Sequence, residues 1–327
     1  MVVVTVTKET GIPLIGHLAF GIVARGGSNL IQVRPTTICN ISCPFCSTDG
    51  GPFSTTHKTH FIVEPSYLVH AIKELIPIKK TLHVNIDSVG EPPTYPHLVK
   101  FITELSKIPE IKFISMQTNG TLLTKEKIKE LEQAGLKRMN LSIHAMSDEL
   151  AKKLAGANIY DINHIKDVAR WVKESKIELL LAPVYLPGVN DKDLPEIIKF
   201  AKELNCKIAI QKYEEYKYSR KIKETKKQNF YMFYQQLKKW EKEFGIRLVY
   251  NGPSLNVERA PSINQPLRAG ERANVKILAE GWMKDQKITA YKNRCITISK
   301  CNAAVNDKVN IKITDTKNNI CLAEPVK

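Results

Sequence analysis

Between residues 30 and 250, short apolar runs alternate with segments of helical period, and this alternation constrains the fold of the 327-residue chain most. Strands are read at Leu30–Val33, Leu82–Ile86, Lys112–Met116, Arg138–Ile143, Glu178–Tyr185, Lys207–Lys212 and Arg247–Tyr250. Helices are read between them at Pro65–Lys80, Pro96–Lys107, Thr124–Ala134, Asn163–Ser175, Pro195–Leu204 and Lys226–Phe244. Strands separated by helices in this way are parallel, because each crossover returns the chain to the same edge. The mostly unbroken apolar strands agree with burial on both faces. The expected class is α/β: a partial (β/α) TIM-type barrel of about six strands, with its chemistry at the C-terminal strand ends.

The alternation stops at Asn251-Gly-Pro-Ser254, and Ala260–Pro266 reads as a linker. Short strands follow at Ala273–Ala279, Lys287–Lys292, Cys295–Ser299, Lys308–Thr314 and Ile320–Ala323. Such a series fits a small closed all-β barrel of the oligonucleotide-binding (OB) type. The expected division is therefore an N-terminal strand extension (1–27), the partial barrel (28–255) and the small β-barrel (256–327). Met1–Thr7 alternates Val and Thr without a basic start or a small-residue cleavage site, so it reads as a strand rather than a signal peptide. No apolar run is long enough to predict a membrane span.

The first strand of the series leads into Cys39-Asn-Ile-Ser-Cys43-Pro-Phe-Cys46. Three thiolates at this spacing suit three corners of a 4Fe–4S cluster and leave the fourth iron open to a cosubstrate. The amino-carboxylate end of S-adenosylmethionine (SAM) suits that iron. Electron transfer would then break the S–C5′ bond and release a 5′-deoxyadenosyl radical. A structural zinc site satisfies the same spacing if His57 or His60 supplies a fourth ligand. Seven cysteines, an odd number with three already clustered, argue for a reducing, cytoplasmic setting rather than a secreted disulfide framework.

Further motifs fall at successive strand ends: Ser88-Val-Gly90-Glu91-Pro92, Gln117-Thr118-Asn119-Gly120, Asn140-Leu-Ser142 and Gly188-Val-Asn-Asp191. Singly, each reads as a turn, a cap or a packed strand residue. Together they frame a pocket. With these residues the chain resembles the radical SAM superfamily over roughly residues 28–250, and is most similar to the branch containing the molybdenum-cofactor enzyme that starts cyclic pyranopterin synthesis.

The resemblance implies that Cys39, Cys43 and Cys46 hold the cluster, with Phe45 before the last of them. It implies SAM contacts from Gly90, Glu91, Pro92, Thr118, Asn119 and Ser142, although Val89 stands where the family carries a first glycine. His144 stands where the nearest relatives often have Asp. Asp87, His144, Tyr185 and Gln211 lie near strand ends as further pocket residues, and no general base is named. Members of the superfamily often carry an auxiliary cluster or a methyl-accepting cysteine, but Cys206, Cys295, Cys301 and Cys321 are too scattered for a ligand loop and read as buried or incidental thiols. Methylthio-transferring relatives need three further N-terminal cysteines, whereas the 38 residues before Cys39 contain none.

Gly270–Lys276 and Asp307–Thr314 resemble the TRAM domain, a small barrel that binds RNA. The net charge is +16, with a pI near 9.4, and the excess is uneven. Residues 207–242 hold 11 Lys/Arg against 4 Asp/Glu, and residues 260–327 hold 12 against 6. Such a surplus points to a polyanion, nucleic acid first. Trp282, Tyr291 and Arg294 are read as candidates for stacking on bases, the aromatics equally as core residues, with Trp282, after Gly281, the more exposed by position.

The expected function is thus a radical SAM enzyme that modifies a nucleoside in RNA, tRNA first. It would grip the RNA through the C-terminal barrel and the Lys207–Lys242 segment, and draw electrons from a reductase or ferredoxin-type donor. A radical SAM enzyme acting on a small molecule or peptide in cofactor biosynthesis is the alternative reading, and a non-enzymatic zinc RNA-binding protein the second.

Overall fold

The computed structural model describes residues 2–24, 26–87 and 89–326. In chain order its elements are β1 (Val2–Val6), β2 (Gly21–Val23), β3 (Leu30–Arg34), β4 (Thr59–Val63), α1 (Pro65–Lys73), α2 (Ile76–Lys79), β5 (Leu82–Ile86), α3 (Leu98–Ser106) and β6 (Ile111–Thr118). There follow α4 (Lys125–Ala134), β7 (Arg138–Leu141), α5 (Asp148–Ala155), α6 (Ile162–Glu174), β8 (Glu178–Leu181), β9 (Val184–Tyr185), α7 (Asp193–Glu203), β10 (Lys207–Ile208), β11 (Gln211–Lys212) and α8 (Phe230–Phe244). The last strands are β12 (Arg272–Glu280), β13 (Gln286–Tyr291), β14 (Arg294–Ser299), β15 (Lys308–Asp315) and β16 (Cys321–Pro325). Two compact units result: Met1–Ile38, Thr55–Phe113 and Val257–Lys327 form the first, Cys39–Ser54 and Ile114–Asn256 the second.

In the first unit β3 runs parallel to β5, with Leu30 opposite His83 and Val33 opposite Ile86, while β2 is antiparallel to β3. β1 and β4 make a separate parallel pair. Ile31, Val33, Leu82, Val84 and Ile86 are buried in the strands. On α3, Leu98, Phe101, Ile102 and Leu105 recur at helical spacing and form its buried face.

The C-terminal strands of this unit close a five-stranded barrel in the order β12-β13-β14-β16-β15. The β13–β14 hairpin turns on Lys292 and Asn293, both left-handed (φ 47° and 55°), as a two-residue turn matched to strand twist requires. Val275, Ile277, Ile296, Ile298, Ile311, Ile313 and Cys321 fill its core.

In the second unit β6, β7, β8 and β10 lie side by side and parallel. β9 and β11 form a short parallel pair beyond a break at Ala182-Pro183, where proline has no N–H for a ladder. Thr124 Oγ1 accepts from Lys127 N and Gly135 closes the other end of α4, so this helix begins and stops at the residues expected. On α6, Ile162, Ile165, Val168, Ala169 and Val172 are buried. Among the described residues no helix is long and apolar enough to cross a membrane.

Several sequence expectations are corrected. The helix expected over Pro65–Lys80 is two helices, because Pro77 lacks an amide donor and would clash with the carbonyl of Lys73. The helix expected from Lys226 starts at Phe230, where Asn229 caps the Met232 amide. Arg247–Tyr250 is not a strand: the Leu248 and Val249 amides donate to the Glu241 carboxylate at 2.7 and 2.9 Å instead of to a neighbouring strand. Trp282 is 3% exposed and packs on His57, ring centroids 4.3 Å apart, so it is core and not a platform for bases. Arg294 is likewise buried, with its guanidinium on the Asn264 and Asn293 carbonyls.

Candidate active site

The cysteine loop is built inside the second unit. Cys39, Cys43 and Cys46 are half-buried. Cys46 N donates to Cys43 O at 3.1 Å, which folds the last four residues of the motif, Cys43–Cys46, into a turn. Cys46 Sγ accepts from Gly50 N at 3.2 Å and lies 3.5 Å from Thr48 Oγ1. Burial raises the Cys43 thiol pKa, and the neighbouring Cys46 and Cys39 raise it further against the pull of Arg220. The three sulfurs therefore share one electrostatic neighbourhood.

Distant residues hold the loop in shape. Arg220 donates through Nε to Asp49 Oδ1 at 2.6 Å, through Nη1 to Cys43 O at 2.9 Å and through Nη2 to Gly50 O. Its backbone amide reaches Cys46 O at 2.9 Å. Ser42 N donates to Ala155 O at the end of α5. Gly156 follows with φ +59°, and a Cβ there would lie 2.1 Å from Ser42 O, so only glycine allows this approach.

A pocket in this unit is lined by Ile41, Cys43, Asn119, Ser142, His144 and Tyr160, together with three alanines. Asn119 Nδ2 donates to Asn40 Oδ1 at 3.0 Å, Asn40 Nδ2 donates to Thr121 Oγ1 at 2.7 Å, and Thr121 N and Oγ1 return to Asn119 Oδ1. This closed triangle fastens the residue after Cys39 to the turn that ends β6. Thr118 is buried and its hydroxyl accepts from Gly120 N. Ser142 Oγ accepts from Gln117 Nε2 at 2.8 Å, which does not use the hydroxyl proton. His144 Nδ1 accepts from Val184 N at 3.1 Å, and burial brings its imidazole down to about 4. Its ring meets the edge of Phe45 at 4.8 Å.

Of the other pocket candidates, Tyr185 gives its hydroxyl to Asp191 at 2.8 Å, and burial with that carboxylate raises its pKa. Gln211 is exposed on β11. Gly90, Glu91, Pro92 and Asp87 belong to the first unit; Ser88 lies outside the described residues. There Glu91 N donates to Ile38 O at 2.7 Å, and a Cβ on Gly90 would fall 2.2 Å from the same oxygen. Thr94 Oγ1 adds a second hydrogen bond to Ile38 O, and Ile38 immediately precedes Cys39 in the chain. Asp87 is bound by Arg34 at 2.9 Å and by Gln32. Sequence reasoning missed Arg220, Asp49, Asn40 and Gly156: Arg220 and Gly156 are far from the Cys39–Cys46 run in the chain, and Asn40 and Asp49, in and beside it, take their roles from tertiary partners.

His57 and His60, the candidate zinc ligands, also lie in the first unit, His57 against Trp282. Cys295, Cys301 and Cys321 are buried, and burial pushes the Cys206 thiol up to about 12.

Comparison with known proteins shows an uncharacterized protein of Methanocaldococcus jannaschii that is 36% identical over 350 residues, covering 98% of this chain and 81% of that protein. The GTP 3′,8-cyclase of Aquifex aeolicus is 28% identical over 186 residues, 56% of each chain. In fold the chain is similar to Streptococcus suis SuiB bound to S-adenosylmethionine, with a TM-score of 0.53 and 17% identity, over 72% of this chain and 49% of SuiB. The chain thus spans only about half the length of the cyclase and of SuiB. The pattern of the radical SAM superfamily matches residues 33–201, just over half of the chain, and this shows that the chain belongs to that superfamily, whose cofactors are a 4Fe–4S cluster and SAM.

Proposed function

We propose that this chain cleaves SAM reductively at a cluster held by Cys39, Cys43 and Cys46 and uses the product radical to modify a nucleoside in RNA, tRNA first. The observation that carries the chemistry is the pocket that sets Cys43 beside Asn119, Ser142 and His144. The donor set fits the group: three soft thiolates in one loop, one already accepting a backbone N–H, leave one iron for an amino-carboxylate. Held by Cys39, Cys43 and Cys46, such a cluster would supply the electron for reductive cleavage of the S–C5′ bond of SAM.

In this reading the protein positions and protects. Arg220 and Asp49 fix the loop, and the Asn40–Asn119–Thr121 triangle ties it to β6. Ser142 offers its hydroxyl proton to the cosubstrate. Gly90, Glu91, Pro92 and Thr118 are assigned to SAM as the family motif has them. Phe45, Ile41 and the alanines keep water from a reactive radical. His144, neutral near pH 7, adds no charge to the pocket.

The RNA substrate is supported by the closed C-terminal barrel. Its strand order, first-second-third-fifth-fourth, agrees with an OB-type barrel of the TRAM kind, and its sequence is strongly basic. An electron donor of reductase or ferredoxin type and a cytoplasmic location complete the reading. A nucleotide as a small-molecule substrate is the second reading, favoured by the likeness to GTP 3′,8-cyclases. Comparison of modified nucleosides in RNA from cells with and without the gene separates the two: a nucleoside lost from tRNA is expected, and an unchanged profile favours the small molecule.

A further inference from the structure

On the exposed face of the antiparallel pair β12/β15, Arg272 stands opposite Lys312, Asn274 opposite Asn310, and Lys276 opposite Lys308. All six are exposed, while Val275 and Ile311 between them point into the barrel. Like charges directly across a ladder destabilise it. Among the described residues none of the four cations has an acidic partner. The nearby carboxylates are already engaged, Glu271 by Lys292, Asp307 by the Ala304 amide, and Glu324, opposite Lys312 on β16, by Lys300. Two rungs of like charge, outside any ion pair among the described residues, thus flank an amide rung, in which Asn274 Nδ2 bonds Asn310 Oδ1 at 2.8 Å.

The β13/β14 face, the one an OB-type barrel commonly offers to oligonucleotides, is covered by this unit's own chain. Cys295 N is bonded to Ile15 O, Lys58 N to Trp282 O, and Thr289 and Thr297 are buried. No residue of β13 or β14 is exposed.

We infer that an RNA strand lies along the β12/β15 face, with its phosphates on the Arg272/Lys312 and Lys276/Lys308 rungs and the Asn274/Asn310 amides bonding to phosphate or 2′-hydroxyl. This deepens the RNA reading above and rests on it. The ladder spans about 14 Å from the first rung to the last, at about 3.4 Å per residue, enough to follow several phosphates. The stripe carries amides and no apolar side chain between its cations, which suits a nucleic acid backbone better than a membrane surface.

The test uses the full cluster-loaded chain and its R272Q/K276Q/K308Q/K312Q variant, with an unmodified tRNA transcript and a single-stranded oligouridylate as probes. Wild-type affinity should fall steeply with salt, and the variant should lose about 3 from the log–log slope, at roughly 0.7 per phosphate contact on a single strand. The variant's melting temperature at low salt should equal or exceed that of wild type, because the opposed charges are gone. A steep slope unchanged in the variant overturns this face and leaves the RNA reading standing; salt-insensitive wild-type binding overturns both. A lower melting temperature in the variant shows that the four cations hold the fold, and binding of phosphatidylserine vesicles without tRNA replaces RNA by a lipid surface. Either result overturns the inference.

Discussion

Arg220 Nε donates to Asp49 Oδ1 at 2.6 Å, joining residues 171 positions apart. Asp49 is 4% exposed, and Arg220 pairs its buried charge while Ser54 Oγ donates to its other oxygen at 3.2 Å. The same guanidinium holds the Cys43 and Gly50 carbonyls, and thereby sets the path of the loop from the second cysteine to just beyond the third. Arg220→Ala removes the cation from a buried carboxylate that keeps Ser54 Oγ as a donor at 3.2 Å, and should cost about 3 kcal/mol, with iron lost during desalting. Arg220→Lys should rescue little, since an ammonium cannot span three acceptors in one plane. Iron per chain and thermal melts check both variants; full iron retention in Arg220→Ala would contradict the positioning role.

Gly156 and Gly245 are both left-handed helix ends, with φ +59° and +63°. A Cβ at Gly156 meets Ser42 O at 2.1 Å, whereas at Gly245 it meets nothing within 4 Å. Gly245→Ala should therefore cost only the backbone penalty of about 1 kcal/mol. Gly156→Ala should cost clearly more and loosen the loop next to Cys43. Urea unfolding of both variants measures the difference, and equal losses would mean that the Ser42 contact carries no weight.

Burial, then the nearby Arg34 guanidinium, bring the His17 imidazole down to about 3. The unfolded chain takes up that proton near pH 6.5, so from there down to about pH 3 the unfolded state binds a proton that the folded state does not. Stability from this group is whole above pH 6.5 and falls with acid, by up to about 1.4 kcal/mol per pH unit. His17→Asn keeps an acceptor for the Ala19 amide, which His17 Nδ1 accepts at 3.0 Å, and should flatten the urea midpoint between about pH 4 and 6. An unchanged slope would assign the acid sensitivity to other groups.

Cys39→Ala, Cys43→Ala and Cys46→Ala should each abolish a cluster of about four irons per chain. Cys206→Ser should leave the iron count intact, because Cys206 follows α7 and its half-buried thiol is held protonated by burial. Iron and sulfide assay of the four reconstituted variants decides the matter; iron loss in Cys206→Ser would call for a second centre.

What the sequence made legible was what periodicity and spacing encode. The parallel strands of the second unit, the Thr124 and Gly135 caps and the five strands of the barrel lie where apolar period and turn residues put them. Relations made only by tertiary packing were not legible. Arg220 reads as one basic residue among many until its three acceptors are seen. Helix α5 has eight residues, too few to show a period, and Ser147 at its start does not cap its amides but donates its hydroxyl to Asp193 instead. Trp282, placed after Gly281, looked solvent-facing, yet His57 covers it. Arg247–Tyr250 has strand composition, but Glu241 takes its amides.

The most direct test of the account is SAM cleavage by the anaerobically reconstituted, chemically reduced chain. Wild type should yield 5′-deoxyadenosine, and more of it when unmodified tRNA is added, while Cys43→Ala should yield none. A fully loaded, reduced protein that yields no 5′-deoxyadenosine with or without RNA would contradict it.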